Sequence, residues 1–120
     1  ILIIEDDKPM VRAIQLKLTH AGYDARIAHN GEEGITMIKN QPYALVLLDL
    51  VMPKIDGFKV LEFLDETKNT TPVIVLTNLS QQEDERRARS LGAREFLVKS
   101  DTPITEVIEH IEKILQNPVS

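Results

Sequence analysis

The sequence contains no cysteine and no tryptophan, only 4% of its residues are aromatic, and basic side chains are fewer than acidic ones. Without cysteine there are no disulfide bonds and no thiol chemistry, and a cytoplasmic location is the simplest interpretation. A formal net charge of -5 argues against direct binding of nucleic acid, because affinity for phosphate backbones comes from clustered Lys and Arg. No apolar run is long enough to cross a bilayer, so we expect no contact with a membrane.

The length of 120 residues suits one domain with its own hydrophobic core and is too short for two. We therefore expect a single domain over residues 1–120. The chain begins at Ile1, inside an apolar run and without an initiator Met. We expect preceding residues, and allow for a following output domain, in the full protein.

Short apolar runs rich in branched residues recur along the chain and do not alternate with polar residues, which is typical of strands buried on both faces. They lie at 1–4, 44–48, 73–76 and 96–98, and a more polar strand at 24–28 suits a sheet edge. Segments with helical spacing of apolar residues separate them. The alternation of strand and helix predicts an α/β fold with a parallel sheet and helices on both faces.

Polar residues, a proline and two glycines mark where the helices should begin and end. Capping-box spacing predicts two helix starts, a proline fits a first helical position, and glycines commonly follow the last turn. The starts are marked by Asp7, Asn30 with Glu33, Ser80 with Glu83, and Pro103, and the ends by Gly22 and Gly92.

Charged and polar side chains follow four of the strands, at the carboxyl ends where ligands collect in open parallel sheets. They are Glu5 and Asp6 after the first strand, Asp49 after the third, Thr77 after the fourth and Lys99 after the fifth. Converging carboxylates repel one another, and a hard divalent cation with oxygen ligands relieves that repulsion. Mg²⁺ is the natural candidate, since carboxylates and phosphate oxygens commonly bind it together.

Each of these residues also has an ordinary interpretation. A single Asp after a strand is more often a cap or turn residue, and a single Lys is more often a solvated surface charge. Their joint occurrence at successive strand ends favours a functional site. His20, His29 and His110 lack the spacing of metal ligands and are interpreted as solvated surface residues.

The segments IIEDD, LLDLVMPKIDG, VLT and FLVK resemble those of response regulator receiver domains over nearly the whole chain. The resemblance implies a doubly wound, flavodoxin-like three-layer sandwich with strand order 2-1-3-4-5. It also implies a signalling switch, not an enzyme, in which Asp49 takes a phosphoryl group from a sensor histidine kinase or phosphotransfer protein. Mg²⁺, or Mn²⁺ in its place, would be the cofactor. The switch would act on an output domain or partner protein, or through a homodimer formed on phosphorylation.

The resemblance also implies a role for each site residue. The metal would be held by Asp6, Asp49 and the backbone carbonyl of Val51, with Glu5 behind them or acting through water. Thr77 and Lys99 would bind the phosphoryl oxygens, and Phe96 would turn inward as Thr77 moves. The loop that leads into the next helix would be formed by Met52, Pro53, Asp56 and Gly57.

Four residues depart from the family pattern. Ser100 stands where most receivers have Pro, so the preceding bond is either trans with a rearranged loop or a strained non-proline cis bond. Asn78 is larger than the usual residue after the switch Thr, and we expect it to narrow access to the acceptor. Val51 and Leu79 stand where polar residues orient water in rapidly hydrolysing receivers, so we expect a slowly hydrolysing acyl phosphate.

Two other functions stay open. A magnesium-dependent phosphohydrolase resembling the haloacid dehalogenases would use Asp49 as nucleophile, but it needs a second Asp two residues later, where Val51 stands. A receiver-like module that binds partners without phosphate is disfavoured because all the site residues are present.

Overall fold

The computed structural model describes residues 1–52 and 55–116. Its strands are β1 (Leu2–Ile4), β2 (Arg26–Ala28), β3 (Val46–Leu48), β4 (Val73–Thr77) and β5 (Glu95–Val98). Its helices are α1 (Lys8–His20), α2 (Gly31–Asn40), α3 (Gly57–Glu66), α4 (Gln82–Ser90) and α5 (Ile104–Gln116), and a short 3-10 turn at Lys99–Asp101 joins β5 to α5. Within these described ranges, none of the helices has the length and apolarity to cross a membrane.

The strands form one parallel sheet in the order β2-β1-β3-β4-β5, which confirms the predicted doubly wound, flavodoxin-like topology. Successive residues of a strand point to opposite faces, so Leu2 and Ile4 lie in one core and Ile3 in the other. The first core packs α2 and α3 against the sheet, and the second packs α1 and α5 against its other face. The result is the three-layer sandwich that the alternating sequence pattern predicts.

The helices differ in how they are held. α5 buries Val107, Ile108, Ile111 and Ile114, whose spacing makes one continuous apolar stripe. By contrast, α4 is rich in charged residues and buries only Ala88.

The charged side chain of Arg87 adds contacts that help to hold α4 against α3. The Arg87 guanidinium carbon lies 4.1 Å from the centre of the Phe58 ring in α3, and an Arg87 nitrogen lies 3.8 Å from Glu62. Exposed contacts of this kind contribute little free energy, so α4 is held weakly compared with α5.

Several predicted helix boundaries agree with the structure. Asp7 and Asn30 are N-cap residues whose side chains accept hydrogen bonds from the backbone N–H groups of Met10 and Glu33. Gly22 and Gly92 follow the ends of α1 and α4 with φ angles of 93° and 107°, a conformation that disfavours residues with a Cβ. Pro103, predicted as the first helical residue, instead lies one residue before α5, and its carbonyl accepts the N–H of Val107.

Three predictions are wrong. Ser80 does not cap α4, which begins at Gln82 after an N-cap residue, Gln81, that makes no side-chain capping bond. β5 is not buried on both faces, because it pairs only with β4 at the sheet edge and all its residues are partly exposed. His20 and His29 are exposed as predicted, but His110 is partly buried, with Nδ1 3.6 Å from Glu95.

Candidate functional site

The carboxyl ends of β1, β3 and β5 bring four of the predicted site residues together. Glu5, Asp6 and Asp49 each offer a carboxylate oxygen, and these oxygens lie within 4.8 Å of one another. Glu5 and Asp49 are each only 4% exposed, whereas Asp6 is open to solvent. The Lys99 ammonium lies 2.5 Å from Glu5 Oε1 and 3.2 Å from Asp49 Oδ2. One largely buried ammonium thus contacts two of the three clustered carboxylates.

The register of the sheet produces this convergence. Ile4 pairs with Leu48, and the N–H of Asp49 donates to the Ile4 carbonyl at 3.0 Å, so the first and third strands end at the same level. Thr77 and Val98 form the last pair of β4 and β5, which places Lys99 just beyond this edge. Residues that are far apart in sequence therefore lie close together, just beyond the carboxyl ends of the strands.

The loop after β3 holds Asp49 in a narrow space. Asp49 Oδ1 accepts the N–H of Val51 at 3.3 Å, and the N–H of Gly57 donates to the Leu50 carbonyl at 3.1 Å. A Cβ at Gly57 would lie 2.2 Å from the Asp49 carbonyl oxygen and 2.7 Å from the Leu50 Cα. Any other residue at 57 would push this backbone apart, so the glycine is needed for close approach.

The rest of this loop leads into α3. Asp56 is the N-cap residue of the helix, and its side chain accepts the N–H of Lys59 at 3.1 Å. Met52 is buried in the core between the sheet and helices α2 and α3. Pro53, which also belongs to the matched motif, lies outside the described residues.

Burial and hydrogen bonding oppose each other at both Glu5 and Lys99, and both pKa values end above their ordinary values. Burial raises the pKa of Glu5 to about 7, although hydrogen bonds from Lys99 and from the backbone N–H of Asp7 oppose the rise. Burial alone would lower the pKa of Lys99, but the hydrogen bond with Glu5 and the charge of Asp49 outweigh it and raise that pKa above its ordinary value. The ammonium therefore stays charged at neutral pH.

The Glu5–Lys99 ion pair and the bond from Asp7 to Glu5 are contacts that the sequence did not reveal. Glu5 and Lys99 are far apart in the chain, and no pattern marks them as partners. The N–H of Asp7 donates to Glu5 Oε2 at 3.0 Å, just before α1 begins, so the same turn that starts the helix also orients the carboxylate.

The bond between Lys99 and Ser100 is trans, which decides between the two alternatives left open above. The chain then forms the 3-10 turn at 99–101. The ammonium still reaches both buried carboxylates. With a trans bond at this position, the lysine is therefore still directed at the carboxylate cluster.

The predicted switch residues lie beside the carboxylate cluster. Thr77 is fully buried at the end of β4, and its Oγ1 accepts the N–H of Leu79 at 3.3 Å. Phe96 pairs with Val75 in the sheet, and Phe96 and Leu79 are partly buried against the same core. Asn78 is exposed. The inward turn of Phe96 and the obstruction by Asn78 stay predictions.

The sequence matches the family model of the response regulator receiver domain over residues 1–112. The transcriptional regulatory protein YkoG of Bacillus subtilis, itself uncharacterized, is 37% identical over 116 residues, which cover 97% of this chain and 50% of that protein. The response regulator ArlR of Staphylococcus epidermidis is 34% identical over 116 residues, covering 97% and 52% respectively. The chain thus spans about half the length of these relatives.

Solved structures agree with this match. The receiver domain of the Francisella response regulator 1452 superposes with a TM-score of 0.90 at 28% identity, covering 98% of this chain and 96% of that one. The response regulator TrrA of Thermotoga maritima, solved in complex with Mg²⁺-BeF, gives 0.82 at 29% identity, covering 94% and 96%. Since the family match takes in nearly the whole sequence and the fold is the same, this chain belongs to the response regulator receiver domain family of two-component signalling.

Proposed function

We propose that the chain is a switch that accepts a phosphoryl group on Asp49, in a Mg²⁺-dependent reaction, from a sensor histidine kinase or a phosphotransfer protein. The observation that carries this proposal is the buried Asp49 carboxylate, which has oxygens of Glu5 and Asp6 within 4.8 Å and the Lys99 ammonium 3.2 Å away. The Mg²⁺-BeF complex of the Thermotoga relative, whose fold is the same, supports it.

The donor set fits a hard divalent cation, because every side-chain ligand in the cluster is a carboxylate oxygen. Asp6, Asp49 and the backbone carbonyl of Val51 would hold Mg²⁺, or Mn²⁺ in its place. Glu5, already bound to Lys99, would stand behind them or act through water. When bound, the cation would neutralise charge on the carboxylates and on the phosphoryl oxygens.

In the proposed transfer, an Asp49 oxygen attacks phosphorus in line and the bond from phosphorus to the donor nitrogen breaks. The electron pair leaves with the donor imidazole. Lys99, which stays charged between Glu5 and Asp49, pairs with a phosphoryl oxygen as charge builds there. The protein contributes position and positive charge, which are what phosphoryl transfer chiefly needs.

The new phosphoryl group, with about -1.5 to -2 charges, would then draw the Thr77 hydroxyl toward it. Thr77 Oγ1 at present accepts the N–H of Leu79, in the segment that leads into α4. A movement of Thr77 therefore pulls on the start of a helix that is weakly held by burial. Phe96 would turn inward at the same time, and the result is a population shift between two arrangements of this surface.

The two curated relatives are about twice as long as this chain, so we propose that the switch controls a further domain or a separate partner protein in the cytoplasm. A homodimer formed on phosphorylation would be one route. A phosphohydrolase is a weaker candidate, because the residue two positions after Asp49 is the apolar Val51.

The proposed function is tested by incubating the protein with phosphoramidate and Mg²⁺ and measuring the intact mass. We expect a gain of one phosphoryl group per chain, and no gain when EDTA removes the metal. Multiple turnover of a small phosphoester would support the phosphatase alternative. Absence of both phosphorylation and beryllofluoride binding would support a phosphate-independent module.

Asn78→Ala is expected to raise the rate of phosphorylation by phosphoramidate severalfold, because the smaller side chain would open the approach to Asp49. Asn40→Ala, an exposed change at the end of α2, is the matched control and should leave the rate unchanged. The rates are measured by quenching the reaction at a series of times and determining the intact mass of the protein. Equal rates for wild type and Asn78→Ala would contradict the proposed obstruction.

The acyl phosphate is expected to persist for minutes to hours, because Val51 and Leu79 offer no side-chain polar group to orient an attacking water. Val51 is 55% exposed, so Val51→Asn should fold normally and shorten the half-life about tenfold. Leu16→Asn, at a site 60% exposed on α1, is the control for the same kind of change. A wild-type half-life of seconds, measured by mass after removal of the donor, would refute this prediction.

A further inference from the structure

The contact between Arg87 and Phe58 joins the middle of α4 to the beginning of α3. The guanidinium carbon of Arg87 lies 4.1 Å from the centre of the Phe58 ring, and an Arg87 nitrogen lies 3.8 Å from Glu62. Phe58 is only 7% exposed, so the guanidinium lies over a ring that the core otherwise encloses. A guanidinium in this position is attracted by the electrons of the ring, and its stem covers apolar surface.

Phe58 connects this contact to the backbone of the acceptor residue. It follows Gly57 directly, and the N–H of Gly57 donates to the Leu50 carbonyl at 3.1 Å. The Gly57 Cα lies so close to the Asp49 carbonyl that a Cβ would not fit between them. The beginning of α3 is therefore packed directly against the segment that carries Asp49. Arg87 anchors α4 to that same segment.

The chain before α4 is attached to the site at a second point. Thr77 Oγ1 accepts the N–H of Leu79 at 3.3 Å, and α4 begins at Gln82. In the proposed switch, Thr77 moves toward the phosphoryl group and draws this segment with it. Since α4 buries only Ala88, burial gives that movement little resistance. A cation–π contact extends to about 6 Å from the ring centre, so a shift of α4 by about 2 Å removes the contact of Arg87.

We propose that Arg87, through its contacts with Phe58 and Glu62, is a latch that holds α4 in the arrangement in which Thr77 bonds to Leu79. The inference rests on the proposed function and names the contact that opposes the switch. An exposed cation–π contact favours the latched arrangement by about threefold to fivefold. Arg87 is thus a positioning residue, and loss of the latch raises the population of the other arrangement before any phosphoryl group arrives.

The first test measures the affinity of wild type and Arg87→Ala for beryllofluoride with Mg²⁺, by NMR titration. We expect the variant to bind about threefold to fivefold more tightly, because binding no longer breaks the latch. Loss of a positive charge by itself weakens the binding of an anion, so the expected change is opposite in sign to the simple effect of charge. Arg86→Ala, an exposed change at the next residue, is the matched control and should bind no more tightly than wild type.

The second test measures hydrogen exchange without Mg²⁺ or beryllofluoride. The amides of α4 should exchange about threefold to fivefold faster in Arg87→Ala. Those of α5, which is held by its own buried stripe, should be unchanged. Phe58→Leu keeps an apolar side chain at the buried position but removes the aromatic ring. In that background, Arg87→Ala should change the affinity for beryllofluoride by less than about twofold, since only the contact with Glu62 is left to lose.

The two tests separate failure of the latch from failure of the proposed function. Equal or weaker beryllofluoride binding by Arg87→Ala would overturn the latch, and so would an equal gain in Arg86→Ala. Wild-type exchange of α4 in Arg87→Ala, or an undiminished effect of that change in the Phe58→Leu background, would overturn it as well. A wild-type protein that binds no beryllofluoride at saturating Mg²⁺ would instead overturn the proposed function, and this inference with it.

Discussion

Replacement of Asp49 by Ala is expected to abolish phosphorylation completely while leaving the domain folded. The change removes the acceptor oxygen and also one of three carboxylates that share a small volume. Lys99 keeps its 2.5 Å contact with Glu5 in the variant, so no buried cation is left without a partner. Stability should therefore be close to that of wild type or higher, and loss of the mass gain cannot be attributed to unfolding.

The measurement is intact mass after incubation with phosphoramidate and Mg²⁺, together with urea denaturation of both proteins. Asp65→Ala, at an exposed position in α3, is the control and should be phosphorylated as well as wild type. Phosphorylation of the Asp49→Ala protein to the wild-type extent would place the acceptor on another residue and refute the central assignment.

Replacement of Lys99 by Met is expected to have the largest effect on stability. The Lys99 side chain is 10% exposed and its ammonium contacts two buried carboxylates, so its removal leaves Glu5 and Asp49 without a cation. Removing one partner of a buried pair costs about 3–5 kcal/mol. We expect the variant to lose about 3 kcal/mol of stability, at the low end of this range. The loss is limited because Glu5, whose pKa is about 7 in the wild type, can take up a proton and become neutral.

Two measurements separate the structural and functional effects of Lys99→Met. Urea denaturation in EDTA should show the full loss of stability, and Mg²⁺ should restore part of it by neutralising the same carboxylates. The phosphorylation rate at saturating Mg²⁺ should fall about 100-fold, as when one charge-stabilising donor is removed. Lys113→Met is the control on an exposed helix face. Unchanged stability in EDTA would show that the ion pairs at Lys99 contribute little.

Local sequence patterns predicted the elements that depend on local physics. The runs at 1–4, 44–48 and 73–76 are apolar because both faces of those central strands are covered, and the structure buries residues 2–4, 45–48 and 73–76 of them, while Ala44 is exposed. Asp7 and Asn30 were identifiable as caps since a short polar side chain can satisfy the free N–H groups of the first turn wherever it occurs.

The same patterns failed where tertiary position decides. The run at 96–98 resembles a central strand, yet its place at the sheet edge leaves it partly exposed, and no local signal distinguishes the two cases. Ser80 has the spacing of a cap, but the helix starts two residues later, after the chain has left the buried end of β4. Two residues with the spacing of a capping box can therefore occur where no cap forms.

By itself, the sequence determined the type and order of the elements, the resemblance to receiver domains and the list of residues that end each strand. Only the tertiary structure decided which of those residues touch. The pairing of Glu5 with Lys99 and the approach of Lys99 to Asp49 both depend on register and packing between distant segments. The physical reason is that burial periodicity and capping act within a few residues, whereas electrostatic contacts depend on distances in space that the chain sets only once it has folded.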